Sequence, residues 1–434
     1  MSAIRERLST QLLTGKEKLS CQLITGKERM KASHEKLKLK VKVVGSKLRE
    51  EGPRGARRSA WCLLAAALFY QGWKFNAILY LILGLAFFVF LLVPFVFRFT
   101  PFIQRHIVFL PFIRMLKKVD FASPKQEGVV GSRNLYLESE SGIKVGLWQV
   151  LPSSREGEGE GEDEEWWSSA LGDGKTVILY LHGNTSHRAG RRRKELYQVL
   201  RSQDFHVVAP DYRGYADSSS HVAPTETGVV VDARAVYDWV AARTKGQLIV
   251  WGHSLGTAVS SHLVANLCQQ DQRPSALVLE APFNNIFDEV RNHPMGWLWS
   301  KMPCYDWFFT VPLRANDLGF VSDQRIKVID VPILFLHAED DWVVPYKLGR
   351  TLYEAATEQR PPSWPEVEWR GFPGSRGYAH NHICRAPELP EILRNLQERC
   401  KREILSKLQE ADDLSDGDDH DDFHNDGLGD DHQN

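Results

Sequence analysis

The sequence predicts an α/β domain built on a mostly parallel sheet flanked by helices, preceded by one transmembrane helix. Short apolar, β-branched runs alternate with helix-patterned stretches through the middle of the chain, which is the signature of a parallel sheet covered on both faces. Ala77–Phe97 is 21 residues without a charge, and as a helix it reaches about 30 Å, the thickness of a hydrocarbon core. The chain has 434 residues, 43% of them hydrophobic, enough for one large domain plus extensions and too apolar for a disordered chain.

The elements follow in order. Residues 1–76 form a basic arm with 17 Lys/Arg against 6 Asp/Glu. Within it Gln11-Leu-Leu-Thr-Gly-Lys-Glu-Lys recurs as Gln22-Leu-Ile-Thr-Gly-Lys-Glu-Arg, an 11-residue repeat that keeps Leu12 and Leu23 on one helix face. This suits an amphipathic helix on anionic headgroups; a solvated arm is equally compatible, because Gly15 and Gly26 weaken a helix. A shorter apolar stretch, Ser59–Trp73, reads as interfacial, and residues 77–97 as the span. Its flanks tie in Lys/Arg, so the basic arm decides the orientation, with the N-terminus cytosolic. Residues 98–125 stay apolar and basic, as a membrane-proximal segment would.

The globular domain is expected over 126–405. Its strand candidates are Thr176–His182, His206–Pro210, Gln247–Gly252, Ala276–Glu280, Pro332–His337 and Glu366–Trp369. Helical patterns cover Glu195–Ser202, Glu226–Thr244 and Gly256–Gln270. The acidic run Glu156–Glu165 reads as a solvated loop, and residues 283–323 as a cap insertion. Residues 406–434 read as an acidic disordered tail; from Glu410 onward there are 11 Asp/Glu and no Lys/Arg. Basic and acidic ends cancel to a net charge of −1, and the neutral middle argues against nucleic acid. Six scattered cysteines form no metal-like cluster; buried free thiols are expected, with room for one disulfide among the last four.

The chemistry sits at strand ends. Trp251-Gly252-His253-Ser254-Leu255-Gly256 holds a G-x-S-x-G pattern directly after a strand and before a helix. Such a turn is tight, so Gly252 and Gly256 supply clearance, and Ser254 stands exposed at the positive end of a helix. A serine needs a base, and the base an orienting acid. Glu339, Asp340 and Asp341 follow PILFLH; Asp341 is the choice, Asp340 the second. The loop after the next strand offers His380 and His382, of which His380 is favoured as base. Leu181-His182-Gly183-Asn184-Thr185 follows the TVILY strand, where the N–H of Asn184 or Thr185 would converge with that of Leu255 on an oxyanion. Asn184-Thr185-Ser186 is also the chain's only N-x-S/T sequon, read as coincidental. No metal or organic cofactor is required.

The stretches HGN, DYRG, GHSLGT, EAPFNN, HAEDDWVVP and GYAH resemble the α/β-hydrolase superfamily. In detail the chain resembles the single-span lysophosphatidylserine and monoacylglycerol lipases of the α/β-hydrolase-domain-containing group, over about residues 110–400. The resemblance implies a serine hydrolase acting on a lysophospholipid or monoacylglycerol at a lipid bilayer, with Ser254, Asp341 and His380 as its triad. It also implies an endoplasmic-reticulum membrane protein with a lumenal catalytic domain. One departure is Ala216 in DYRGYA, where many members have Gly. Trp297, Trp299, Trp307, Phe308 and Phe309 in the cap are expected to line an acyl channel, or else to pack a helical cap. Arg188, Arg191, Arg192 and Arg193 are candidates for an anionic head group, or form a solvated helix start. A triad alone does not separate ester from thioester or amide, so an acyl-protein thioesterase or amidase is the alternative. A non-enzymatic membrane tether is a third reading, opposed by the intact triad residues. Protein partners are not readable.

Overall fold

The computed structural model describes residues 53–110, 119–294 and 296–417, with Glu35 and Lys42 as isolated helical positions. The repeat at residues 11–29, most of the basic arm, and residues 418–434 of the tail lie outside the described residues.

The chain divides into two compact units, one ending at Val89 and one beginning at Phe90. The first holds α1 (Pro53–Phe87), which takes in Ser59–Trp73, so that stretch is helix continuous with the expected span. Its aromatic and aliphatic side chains, among them Phe69, Trp73, Tyr80 and Leu81, are exposed all round, as a lipid-facing helix requires. The stretch Leu64–Phe99 is long and apolar enough to cross a membrane. Its 36 residues reach about 54 Å, well beyond a core of roughly 30 Å. Phe88–Leu92 is a π turn. It ends two residues before Pro94, which has no N–H to continue the ordinary ladder.

The second unit opens with α2 (Val93–Phe99) and α3 (Pro101–Val108). Phe97, Gln104, Val108 and Phe109 are buried in the domain, so part of the membrane-proximal segment belongs to the globular core. The domain is an eight-stranded sheet in the order β1-β2-β4-β3-β5-β6-β7-β8. The strands are β1 (Ser132–Glu140), β2 (Ile143–Val150), β3 (Val177–Leu181), β4 (His206–Asp211), β5 (Leu248–His253), β6 (Ala276–Glu280), β7 (Ile333–Ala338) and β8 (Val367–Phe372). The hairpin β1-β2 joins the sheet antiparallel through β4, and the other neighbours are parallel. All six strands expected from the apolar runs are present within a few residues.

Side chains alternate across each strand, and the two cores follow from that. Val177, Leu179 and Leu181 of β3 enter one core with Leu248 and Val250 of β5. Ile178 and Tyr180 enter the other with Ile249 and Trp251. The covering helices are α4 (Arg191–Ser202), α5 (Glu226–Ala241), α6 (Leu255–Gln269), α7 (Ile286–Asn292), α8 (Val311–Ala315), α9 (Tyr346–Gln359) and α10 (Leu389–Gly417). The last corrects the boundary expected at residue 406: Leu-Ser-Lys-Leu-Gln-Glu-Ala is composed mainly of good helix formers, and the helix runs on to Gly417. Cys268, Cys384 and Cys400 are buried free thiols and Cys304 is exposed; no disulfide forms among the described residues.

The chain passes from β3 outward to β4 on one side and returns to β5 on the other, so the strand order reverses between β3 and β5. A crevice opens beyond the carboxyl ends of strands at such a point. The loop after β3 and the turn after β5 meet there because Leu181 pairs with Gly252.

Candidate active site

Ser254 sits between β5 and α6 with φ 54° and ψ −122°. A positive φ on a residue with a Cβ costs about 1–3 kcal/mol, and it persists only where the surroundings enforce it. Here they do. A Cβ on Gly252 would stand 2.3 Å from the Gly256 carbonyl oxygen, and one on Gly256 would stand 2.0 Å from that of Leu181. The Ser254 N–H donates to the Glu280 carbonyl at 2.9 Å. Its hydroxyl makes no capping bond to α6 and faces His380 instead.

Ser254 Oγ lies 3.0 Å from His380 Nε2. His380 Nδ1 lies 2.7 Å from Asp341 Oδ2, and all three residues are buried. The other carboxylate oxygen of Asp341 accepts the N–H groups of Val343 and Val344, each at 2.9 Å. His337 Nε2 stands 3.4 Å from Asp341 Oδ2. Burial alone would raise the Asp341 pKa, but hydrogen bonds and charge from His337 and His380 hold it well below the usual carboxylate range. Asp340, the second choice, accepts the Ala379 N–H at 3.0 Å and so holds the base-bearing loop rather than the imidazole. His382 lines the cavity wall and is not in the relay.

Gly183, Asn184 and Thr185 line the cavity beside Ser254. Their carbonyls are all engaged elsewhere. That of Gly183 accepts from His182 Nδ1 at 2.7 Å, and that of Asn184 accepts from Tyr215 Oη at 2.9 Å and from the Leu110 N–H at 3.0 Å. Thr185 O accepts from Arg193. Leu255 opens α6, so its N–H has no intrahelical acceptor.

The cavity measures about 1160 Å³, and its lining includes Arg191, Arg192, Arg193, Arg385 and His382; Arg191 and Arg385 share Glu195 as ion-pair partner. The four arginines read from the sequence fall into different roles. Arg188 is fully buried, with Nη1 at 2.6 Å from Asp211 and 2.7 Å from Asp217, and is removed from any ligand. Arg191 and Arg192 are exposed on the cavity rim. Arg193 is buried and forms no ion pair within 4.0 Å among the described residues.

Three supporting residues were not foreseen. His253 Nε2 donates to the His380 carbonyl at 2.9 Å; burial and the nearby His380 push its pKa down to about 3, so it stays neutral. Glu280 lines the cavity and accepts from Trp251 Nε1 at 2.9 Å. Burial, opposed by that bond, pushes its pKa up to about 7. Glu289 on α7 is buried with an unbonded Oε2, and burial pushes it up to about 8. A buried acid beside a nucleophile has no sequence signature beyond its place at a strand end.

The cap aromatics do not line this cavity. Phe308 and Phe309 are buried against Phe95 and Phe97, at ring distances of 5.2 and 5.1 Å. Trp307 lies under the Arg98 guanidinium at 3.8 Å, and Arg98 also donates to the Trp307 carbonyl. Trp307, Phe308 and Phe309 therefore pack on α2 rather than on this cavity, whereas Trp299 stands on Phe309 and Trp297 is exposed.

Residues 172–308, from the start of β3 through Ser254 to the cap, match the Hydrolase_4 family, described as "Serine aminopeptidase, S33". Lysophosphatidylserine lipase ABHD12 of Danio rerio is 40% identical over 322 residues, covering 74% of this chain and 83% of the relative. The chain belongs to the ABHD12 family of α/β-hydrolases. Protein ABHD12B of Homo sapiens is 37% identical over 292 residues, covering 65% of this chain and 79% of that protein. The crystal structure of an alpha-beta hydrolase from Vibrio vulnificus superposes with a TM-score of 0.51 at 17% identity, covering 68% of this chain and 92% of that one, a likeness of fold alone. Membership makes the chain a serine hydrolase. The Ala216 departure stands at φ 51°, a conformation that glycine adopts without strain.

Proposed function

We propose that this chain is a membrane-anchored lipase that cleaves the acyl ester of lysophospholipids of the lysophosphatidylserine kind, with monoacylglycerols as secondary substrates. The observation that carries the reading is the relay of 3.0 and 2.7 Å from Ser254 through His380 to Asp341, in a family several of whose members are named lysophosphatidylserine lipases. In this reading Ser254 Oγ attacks the acyl carbonyl as His380 Nε2 takes its proton. The ionised Asp341 holds the imidazole tautomer and stabilises the imidazolium. The N–H groups of Leu255 and of Asn184 or Thr185 receive the oxyanion. His380 then protonates the departing alkoxide, and water resolves the acyl-enzyme in the reverse sense. The arginines that line the cavity, Arg192 on its rim above all, suit an anionic head group. The basic arm favours a cytosolic N-terminus, and we place the catalytic domain in the lumen of the endoplasmic reticulum.

The test is fluorophosphonate labelling and hydrolysis of lysophosphatidylserine and monoacylglycerol by wild type and Ser254→Ala. Loss of label, and of activity by about six orders of magnitude, is expected. A wild type that does not label, or that prefers the neutral lipid, overturns the reading.

A further inference from the structure

We propose that the segment leaving the apolar helix, Thr100–Leu110, sets the oxyanion hole, so that the membrane-side end of the domain is part of the catalytic positioning. The inference rests on the preceding assignment of the Asn184–Thr185 amides as donors and adds what aims them.

Consider the peptide planes. In a trans peptide the C=O and the following N–H point in opposite directions. The Asn184 carbonyl and the Thr185 N–H share one plane, so whatever grips the carbonyl aims the donor. Two groups grip it: the Leu110 N–H at 3.0 Å and the Tyr215 hydroxyl at 2.9 Å. Leu110 and Thr185 form a parallel bridge, a one-residue strand added to the loop. The preceding plane is held in the same way, with the Gly183 carbonyl on His182 and the Asn184 N–H directed oppositely. Neither the Asn184 nor the Thr185 N–H has a backbone acceptor of its own among the described loop bonds.

Leu110 can act as a support because everything before it is braced. Phe109 is buried against Phe320, with ring centroids 5.9 Å apart. Gln104, fully buried, donates from Nε2 to the carbonyls of Phe97 (2.7 Å) and Arg98 (3.0 Å) across the bend between α2 and α3. Its Oε1 accepts from Asn316 Nδ2 in the cap at 2.7 Å. The path from Phe97 to Thr185 is therefore continuous: a helix end, a side-chain staple, a buried ring and a backbone bridge. A simple tether would need none of these. The segment that supplies the grip lies some 75 residues upstream of the loop it holds.

Leu110→Pro deletes the single N–H in question, and Leu110→Ala keeps it while shortening the side chain. Both are compared in the full-length chain in detergent, alongside Ser254→Ala. The expected result is a kcat for Leu110→Pro at least about 10-fold below that of Leu110→Ala, with KM within about threefold. Affinity for a trifluoromethyl ketone, which forms the tetrahedral adduct, falls by a similar factor. A role in stability alone would lower the melting temperature and leave kcat and adduct affinity of the folded fraction unchanged. Equal kcat values for the two variants overturn the proposal, and an inactive Ser254→Ala in that same experiment leaves the triad reading standing. If Leu110→Pro does not accumulate, Tyr215→Phe carries the test: a several-fold loss of kcat and adduct affinity supports the grip on Asn184, and unchanged values overturn it.

Discussion

Asp341 turns both carboxylate oxygens inward, one to His380 and one to two backbone N–H groups, whereas Asp340 holds the backbone of the His380 loop. The sequence narrows the acid to a run of three carboxylates at the end of β7 and goes no further. What separates neighbours is the turn closed by the Asp341 N–H on the Ala338 carbonyl, at 3.2 Å, which points one side chain at the base and the next away from it. Asp341→Asn is expected to lower kcat by about 10⁴, because the amide favours the wrong tautomer. Asp340→Asn keeps an acceptor for the Ala379 N–H, and a loss of no more than about 10-fold is expected. Turnover of one lysophospholipid by both variants checks the pair. Ser254 is the opposite case. G-x-S-x-G between a strand and a helix constrains sterics so strongly that its strain is readable from the residue pattern before any side chain is placed.

Among the elements, the strands β3 to β7 are legible because both faces of each are buried and each reads as a mostly apolar run, whereas β8 (VEWRGF) is half-buried and is marked only by its Val and Trp. The β1-β2 hairpin is not legible. Tyr136 and Glu138 look outward while Leu135 is buried, and the alternation is diluted by Asn134 and Ser139. In the arginine cluster at the start of α4 only Arg188 departs from both expectations, for a related reason: charge in sequence does not say which side chain is consumed internally. Arg188 pairs with Asp211 of β4 and with Asp217, and Asp211 also stands 3.1 Å from His182, just past the end of β3. Arg188→Met strands two carboxylates, one of them fully buried, and is expected to destabilise the domain by about 3–5 kcal/mol. Arg192→Ala, on the cavity rim, is expected to leave stability within about 0.5 kcal/mol. Chemical denaturation of both variants measures the contrast. The cap shows the same principle with rings: composition announces aromatics, and only packing decides which of them serve α2.

At the scale of the whole molecule, buried acids set the pH range of the fold. Burial raises Glu289 from 4.5 to about 8 and Glu280 to about 7. The folded chain thus keeps protons that the unfolded chain releases, and the stability they confer is full below about pH 4.5 and is lost as pH rises toward 8. Glu289→Gln cannot ionise. Its melting temperature is expected to match wild type at pH 5 and to exceed it by a few degrees at pH 8.5, as pH-resolved thermal melts would record. Asp341, held low, works in the other direction and only in acid, as pH falls below the usual carboxylate range.

The cysteines carry a different consequence. The interior thiols Cys268, Cys384 and Cys400 are each pushed up to about 12 by burial, so they offer no thiolate to an oxidase or to glutathione at neutral pH. No cross-link among the described residues holds the hydrolase domain together, and none is waiting to form inside it. For these three thiols, therefore, the fold makes the same demand in a reducing compartment as in an oxidising one.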